Sequence, residues 1–78
     1  MSEVIVNEWS AEFNPFKEGY GQIKQNGNRV CYFFVGYDYH IYLHKDNPDV
    51  PSGSYLGHEI PKTLLRGIVK FTKNRRRG

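Results

Sequence analysis

Only one cysteine occurs in the chain, Cys31, so no internal disulfide can form. A reducing intracellular compartment is therefore expected, cytoplasmic by default with the nucleus left open. Long apolar runs are missing as well, which leaves neither a signal peptide nor a membrane-spanning helix to be read and argues against a membrane partner. Apolar residues make up only 38% of the 78, enough for a single domain with a modest core. Catalytic signatures are absent too. There is no nucleophile motif, no glycine loop to cradle phosphate, and no close carboxylate pair outside the loop-like stretch holding Asp46 and Asp49, so the chain is not expected to be an enzyme or to need a cofactor. A metal site is not expected either. His40 and His44 are spaced for a helix but lie in a segment that alternates like a strand, which would put them roughly 13 Å apart. Cys31 and His58 have no ligand-like spacing to either.

Rings and unevenly placed charge are abundant by contrast. Aromatic residues reach 15%, so side-chain rings replace many of the missing aliphatics. The first eighteen residues hold Glu3, Glu8, Glu12 and Glu18 against Lys17 alone, while Lys70, Lys73, Arg75, Arg76 and Arg77 crowd the last nine without an acid. The central stretch Gly19 to His44 organises the rest. In Tyr39–His44, Ile41 and Leu43 fall on one face, and His40, Tyr42 and His44 fall on the other. Around Ile23 the same pattern sets Tyr20, Gln22 and Lys24 on the opposite face.

In chain order, period-2 patterning predicts a first strand over about Val4 to Phe13, straight or bent in the middle, with Ile5, Trp9, Ala11 and Phe13 sharing one parity, ended by Asn14-Pro15. Asn26-Gly27 predicts a tight hairpin between a strand near Tyr20–Lys24 and a strand over Arg29–Val35, which is apolar on both faces and so central. Gly36-Tyr37-Asp38 turns the chain into Tyr39–Lys45. Asp46–Ser54 has loop chemistry, and Tyr55–Ile60 is a short strand or irregular. Ile60, Leu64 and Ile68 are spaced by four, but Gly67 and the β-branched run after it favour one helical turn near residues 61–66 followed by a last strand. A single helix from Lys62 to about Asn74 is the alternative. The expected fold is thus mainly β, a small OB-like or SH3-like antiparallel barrel or partly open sheet, over residues 1–73, with a basic tail over 74–78.

Phe13-Asn14-x-x-Lys17 followed by Gly19-Tyr20-Gly21-x-Ile23 resembles the opening of a cold-shock domain. Ile41-Tyr42-Leu43-His44 resembles that family's second motif, which Tyr32-Phe33-Phe34-Val35 would fit better in spacing but without the histidine. Leu65-x-Gly67-x-Val69-x-Phe71 with Arg77-Gly78 is similar to its fourth strand and the following turn. Glu12 stands where the family has a stacking tryptophan, Gln22 where it has a second ring, and the match leaves no residues for a fifth strand. The resemblance implies an OB-type barrel that binds single-stranded RNA or DNA.

The residues themselves point the same way. Tyr20, Tyr42 and His44 would offer rings on which bases stack, with Lys17, Lys24 and Lys45 beside the phosphates. Lys73, Arg75, Arg76 and Arg77 would act as an electrostatic clamp. Phe13 and Phe33 are further candidates. The alternative is a protein-interaction module docking on a larger protein, with Trp9, Tyr37 and Tyr55 as anchors. An open sheet edge would also let a second copy pair with the first.

Overall fold

The computed structural model describes residues 3–45 and 60–77. Five strands and one helix follow in order: β1 (Glu3–Val6), β2 (Trp9–Phe13), β3 (Tyr20–Gln25), β4 (Asn28–Val35), β5 (Ile41–His44) and α1 (Lys62–Arg77). The strands form one antiparallel sheet in the order β1-β2-β3-β4-β5, each paired with its neighbours in sequence. The protein is therefore mainly β with an open sheet. Of the two architectures expected, the open sheet is the one formed: β1 and β5 are its edges and do not pair to close a barrel.

Local chemistry explains most of the turns. Asn26 and Gly27 hold φ of 53° and 83° and join Gln25 to its partner Asn28, the two-residue turn whose twist suits a hairpin. Gly36 to His40 forms the next reversal, fastened by Gly36 N–H to the His40 carbonyl (2.9 Å), Tyr39 N–H to the Gly36 carbonyl (3.0 Å) and His40 N–H to Asp38 Oδ1 (3.0 Å). Between Ile23 and Lys24 the register of β3 on β4 slips, so that Ile23 faces Cys31 while Lys24 faces Arg29. Val30 is the extra residue of this bulge, and it packs with its neighbour Cys31 toward the core.

The single strand expected over Val4 to Phe13 is two strands. Asn7, at φ 55°, and Glu8 form a tight turn that pairs Val6 with Trp9. Residues paired across such a turn share a face, so Val4 and Val6 pack with Trp9, Ala11 and Phe13, and Ile5 is left 67% exposed. The parity grouping that put Ile5 with Trp9 is thereby corrected.

The helical turn followed by a strand is also corrected. Residues 62–77 are one helix of sixteen residues, so the strand expected over Ile68–Thr72 does not form and residues 74–77 are its last turn rather than a separate tail. Gly67 is there for space: a Cβ at this position would meet Val4 Cγ1 at 2.9 Å, so the missing side chain lets the helix lie close on β1. Ile60, Leu64, Ile68 and Thr72 form the buried stripe, and the Pro61 carbonyl accepts the first helical bonds from Leu64 and Leu65. Thr72 satisfies its buried hydroxyl by donating to the Ile68 carbonyl (2.9 Å). Residues 46–59, with the expected loop and the segment at Tyr55, lie outside the described residues.

Helix and sheet enclose one core of Trp9, Ala11, Phe13, Ile23, Cys31, Phe33, Val35, Ile60, Leu64 and Ile68. Phe13 is its hinge, edge-on to Phe33 (centroids 5.1 Å apart) and stacked on Phe71 of the helix (4.6 Å). Cys31 is fully buried here, as a small core residue. Burial pushes its thiol from the ordinary 9.0 up to about 11, because a thiolate would have to leave water. The fold holds this proton more tightly than the unfolded chain. Its contribution to stability is whole below about pH 9 and is lost as the pH rises through about 11. At neutral pH a thiol reagent should label Cys31 only after denaturant is added; rapid labelling of the native protein would contradict this burial.

Candidate functional site

The helix covers one face of the sheet, and the other face carries rings. Cross-strand register sorts the side chains of that face into rows. The first row runs Tyr20, Phe34 and Tyr42, directly opposite one another on β3, β4 and β5. Tyr20 and Phe34 have ring centroids 4.5 Å apart, Phe34 and Tyr42 stack at 6.1 Å, and His40 continues the series 5.3 Å beyond Tyr42. A second row runs Glu12, Gln22, Tyr32 and His44 across β2 to β5. The third holds Ser10, Lys24 and Arg29.

Cations flank these rings. Lys17 Nζ lies 5.3 Å from the Tyr20 centroid and the Arg29 guanidinium 4.8 Å from that of Tyr32. Lys24 pairs with Glu12 at 3.2 Å, and Lys45 follows β5, exposed. Among the positions expected from sequence, Tyr20, Lys24, Tyr42 and His44 thus share one face, with Lys17 at its rim. Phe34, Tyr32 and Arg29 belong to the same face but were not among the expected site residues, Tyr32 and Phe34 having entered only as an alternative placement of the second motif. β4 is apolar at every position from Val30 to Val35, so its two faces cannot be told apart without knowing which neighbour each residue meets.

Other expected positions are placed elsewhere. Phe13 and Phe33 are core residues, 8% and 2% exposed, and cannot offer a stacking surface. Trp9 is buried as well, which removes it as a docking anchor, whereas Tyr37 stands 85% exposed. Lys73, Arg75, Arg76 and Arg77 belong to the helix, on the covered side of the sheet, and Arg76 meets the sheet where β3 begins and β4 ends. Lys73 lies 5.1 Å from the Tyr39 ring and Arg75 5.9 Å from that of Phe71.

Arg76 is a structural residue rather than part of a free clamp. Its Nη1 donates to the Gly36 carbonyl (2.7 Å), Nη2 to the Val35 carbonyl (2.8 Å) and Nε to Glu18 Oε2 (2.8 Å). The rings of Tyr37 and Tyr39 lie 4.9 and 5.3 Å from the guanidinium. All three nitrogens are thereby committed within the chain. The signal for this role is the stripe spaced by four, which continues from Ile60, Leu64 and Ile68 through Thr72 to Arg76.

At the β2–β3 side of the ring face, a depression of about 300 Å³ is lined by Glu12, Phe13, Asn14, Pro15, Tyr20, Gly21, Gln22 and Tyr32. Next to it the loop at Pro15 lifts Phe16 to 92% exposure, with Phe16 N–H donating to Asn14 Oδ1 (2.8 Å). Among the described residues no three His, Cys, Asp or Glu side chains gather as a metal site would require, and no helix is long and apolar enough to cross a membrane. The strand-like piece of the cold-shock resemblance, Leu65–Phe71, is helical here, and the neighbour-to-neighbour sheet differs from the Greek-key order of an OB barrel. Compared with family models, curated proteins and solved structures, the chain matches none of them.

Proposed function

We propose that the protein binds single-stranded nucleic acid, without catalysis, on the sheet face opposite the helix. The row of Tyr20, Phe34, Tyr42 and His40 carries this reading, because rings aligned across three adjacent strands give successive bases stacking surfaces at strand spacing. Stacking is tolerant of sequence, since every base has a π-face. Lys17 beside Tyr20 and Arg29 beside Tyr32 would meet the phosphates, and the exposed Lys45, Lys73 and Arg77 add attraction from the ends of β5 and the helix. Glu3 and Glu8 lie on β1 and in the turn after it, which directs a polyanion away from that edge of the sheet.

A labelled oligonucleotide should bind with a steep negative dependence of log affinity on log salt. Tyr42→Ala should weaken binding by about 1–3 kcal/mol while leaving the fold intact, because Tyr42 lies outside the core. Failure of any RNA or DNA oligonucleotide to bind at low salt would remove this reading. The exposure of Phe16, Tyr37 and Ile5 favours a second one, docking on another protein. Recovery of one defined partner that survives nuclease treatment and is lost with Tyr37→Ala would support it.

A further inference from the structure

The depression beside the ring row contains a carboxylate, and a carboxylate is out of place on a surface that takes a polyanion unless a base offers it protons. Glu12 Oε1 accepts from Gln22 Nε2 (3.1 Å) and pairs with Lys24 Nζ (3.2 Å). Its Oε2 takes no hydrogen bond from any described residue. Gln22 and Lys24 thus hold the group in place through one oxygen and leave the other available. Tyr20 and Tyr32 supply rings on either side of Gln22, one two residues earlier on β3 and one directly opposite on β4, and all four residues line or border the same 300 Å³ space.

Bases bound outside a duplex are recognised by stacking on rings and by hydrogen bonds to their Watson–Crick edges. On that edge guanine alone sets two donors side by side, N1–H and the 2-amino group. Adenine, cytosine and uracil each place a donor next to an acceptor. The available oxygen, which only accepts and carries two lone pairs, can take both adjacent donors of the first arrangement but meets an acceptor beside the donor in the others. We propose that Glu12, held by Gln22 and Lys24 in the depression that Tyr20 and Tyr32 also line, selects a guanine within the bound strand. This selection rests on the single-strand binding proposed above and adds a base preference to it.

Uridine decamers carrying guanine, adenine, cytosine or inosine at one central position, each end-labelled, test it by fluorescence anisotropy. The guanine decamer should bind about ten-fold tighter than the adenine or cytosine one. Inosine, which keeps N1–H and lacks the 2-amino group, should fall between. Glu12→Gln, which turns one acceptor into a donor, should bring the ratio of guanine to adenine affinity close to one. Equal binding of all decamers to the wild-type protein would overturn the guanine pocket and leave single-strand binding standing. A guanine preference that persists in Glu12→Gln would overturn the role of the carboxylate. Absence of binding to every decamer would overturn both proposals together.

Discussion

Gly21→Ala should destabilise the protein by roughly 3 kcal/mol, seen as a fall in the urea midpoint with an unchanged slope. Gly21 sits in the core row between Phe13 on β2 and Phe33 on β4. A Cβ there would strike the Glu12 carbonyl oxygen and Phe33 Cζ, and would come within 2.6 Å of Phe33 Cε2. Neither neighbour can yield cheaply. The carbonyl belongs to the backbone of the adjacent strand, and the Phe33 ring is braced against Phe13, which is in turn stacked on Phe71. The comparison with Gly27 isolates the cause. Nothing lies within 4 Å of a Cβ built there, so Gly27→Ala meets only the strain of its φ of 83°, on the order of 1 kcal/mol. An equal response at the two glycines would show that the Phe33 ring does not lie over β3 as described.

Arg76→Ala should cost roughly 2–4 kcal/mol, the second large effect. The guanidinium is nearly enclosed, at 13% side-chain exposure, and its removal leaves the Val35 and Gly36 carbonyls without their charged donor. Arg76→Lys should recover little, because one ammonium cannot reproduce the planar fork that reaches two carbonyls and a carboxylate at once. Glu18→Ala should cost under about 1 kcal/mol, since that carboxylate is 48% exposed and water can replace the pair. Chemical denaturation of the three variants orders them. If Arg76→Ala were no worse than Glu18→Ala, the carbonyl contacts would contribute nothing. Binding separates the roles further: loss of Arg77 should reduce the salt dependence of nucleic-acid affinity, whereas any effect of Arg76 should follow stability.

Local chemistry made much of the sheet legible. Asn26-Gly27 announces its hairpin through two residues that tolerate positive φ, and the alternation around Ile23 and through Ile41–His44 assigns faces correctly because each of those strands is apolar on one side only. The Asn7-Glu8 turn showed only as a bend, since glutamate is an unremarkable turn residue and the apolar residues on either side of Asn7, Ile5 and Trp9, share a parity that continues one strand through it. At the C-terminus, local preference and tertiary packing disagree. Gly67, Ile68 and Val69 disfavour a helix taken alone, yet the burial of Leu64, Ile68 and Thr72 against the sheet outweighs that preference. The role of Arg76 lay further from reach, because its partners at Glu18, Val35 and Gly36 are about forty or more residues away in the chain.

Pairing each strand only with its sequence neighbour has a consequence for how the molecule is made. The sheet can grow hairpin by hairpin, with short loops to close at each described step, which favours rapid assembly. The helix is different: it packs chiefly on β1 and β2, at the opposite end of the chain, and reaches the end of β4 through Arg76. Until it docks, Trp9, Ala11, Phe13, Ile23 and Phe33 form a bare apolar sheet face flanked by two unpaired edges. That half-made sheet is the species most prone to stick to its own kind, and fastening of Arg76 to the Val35 and Gly36 carbonyls ends its exposure.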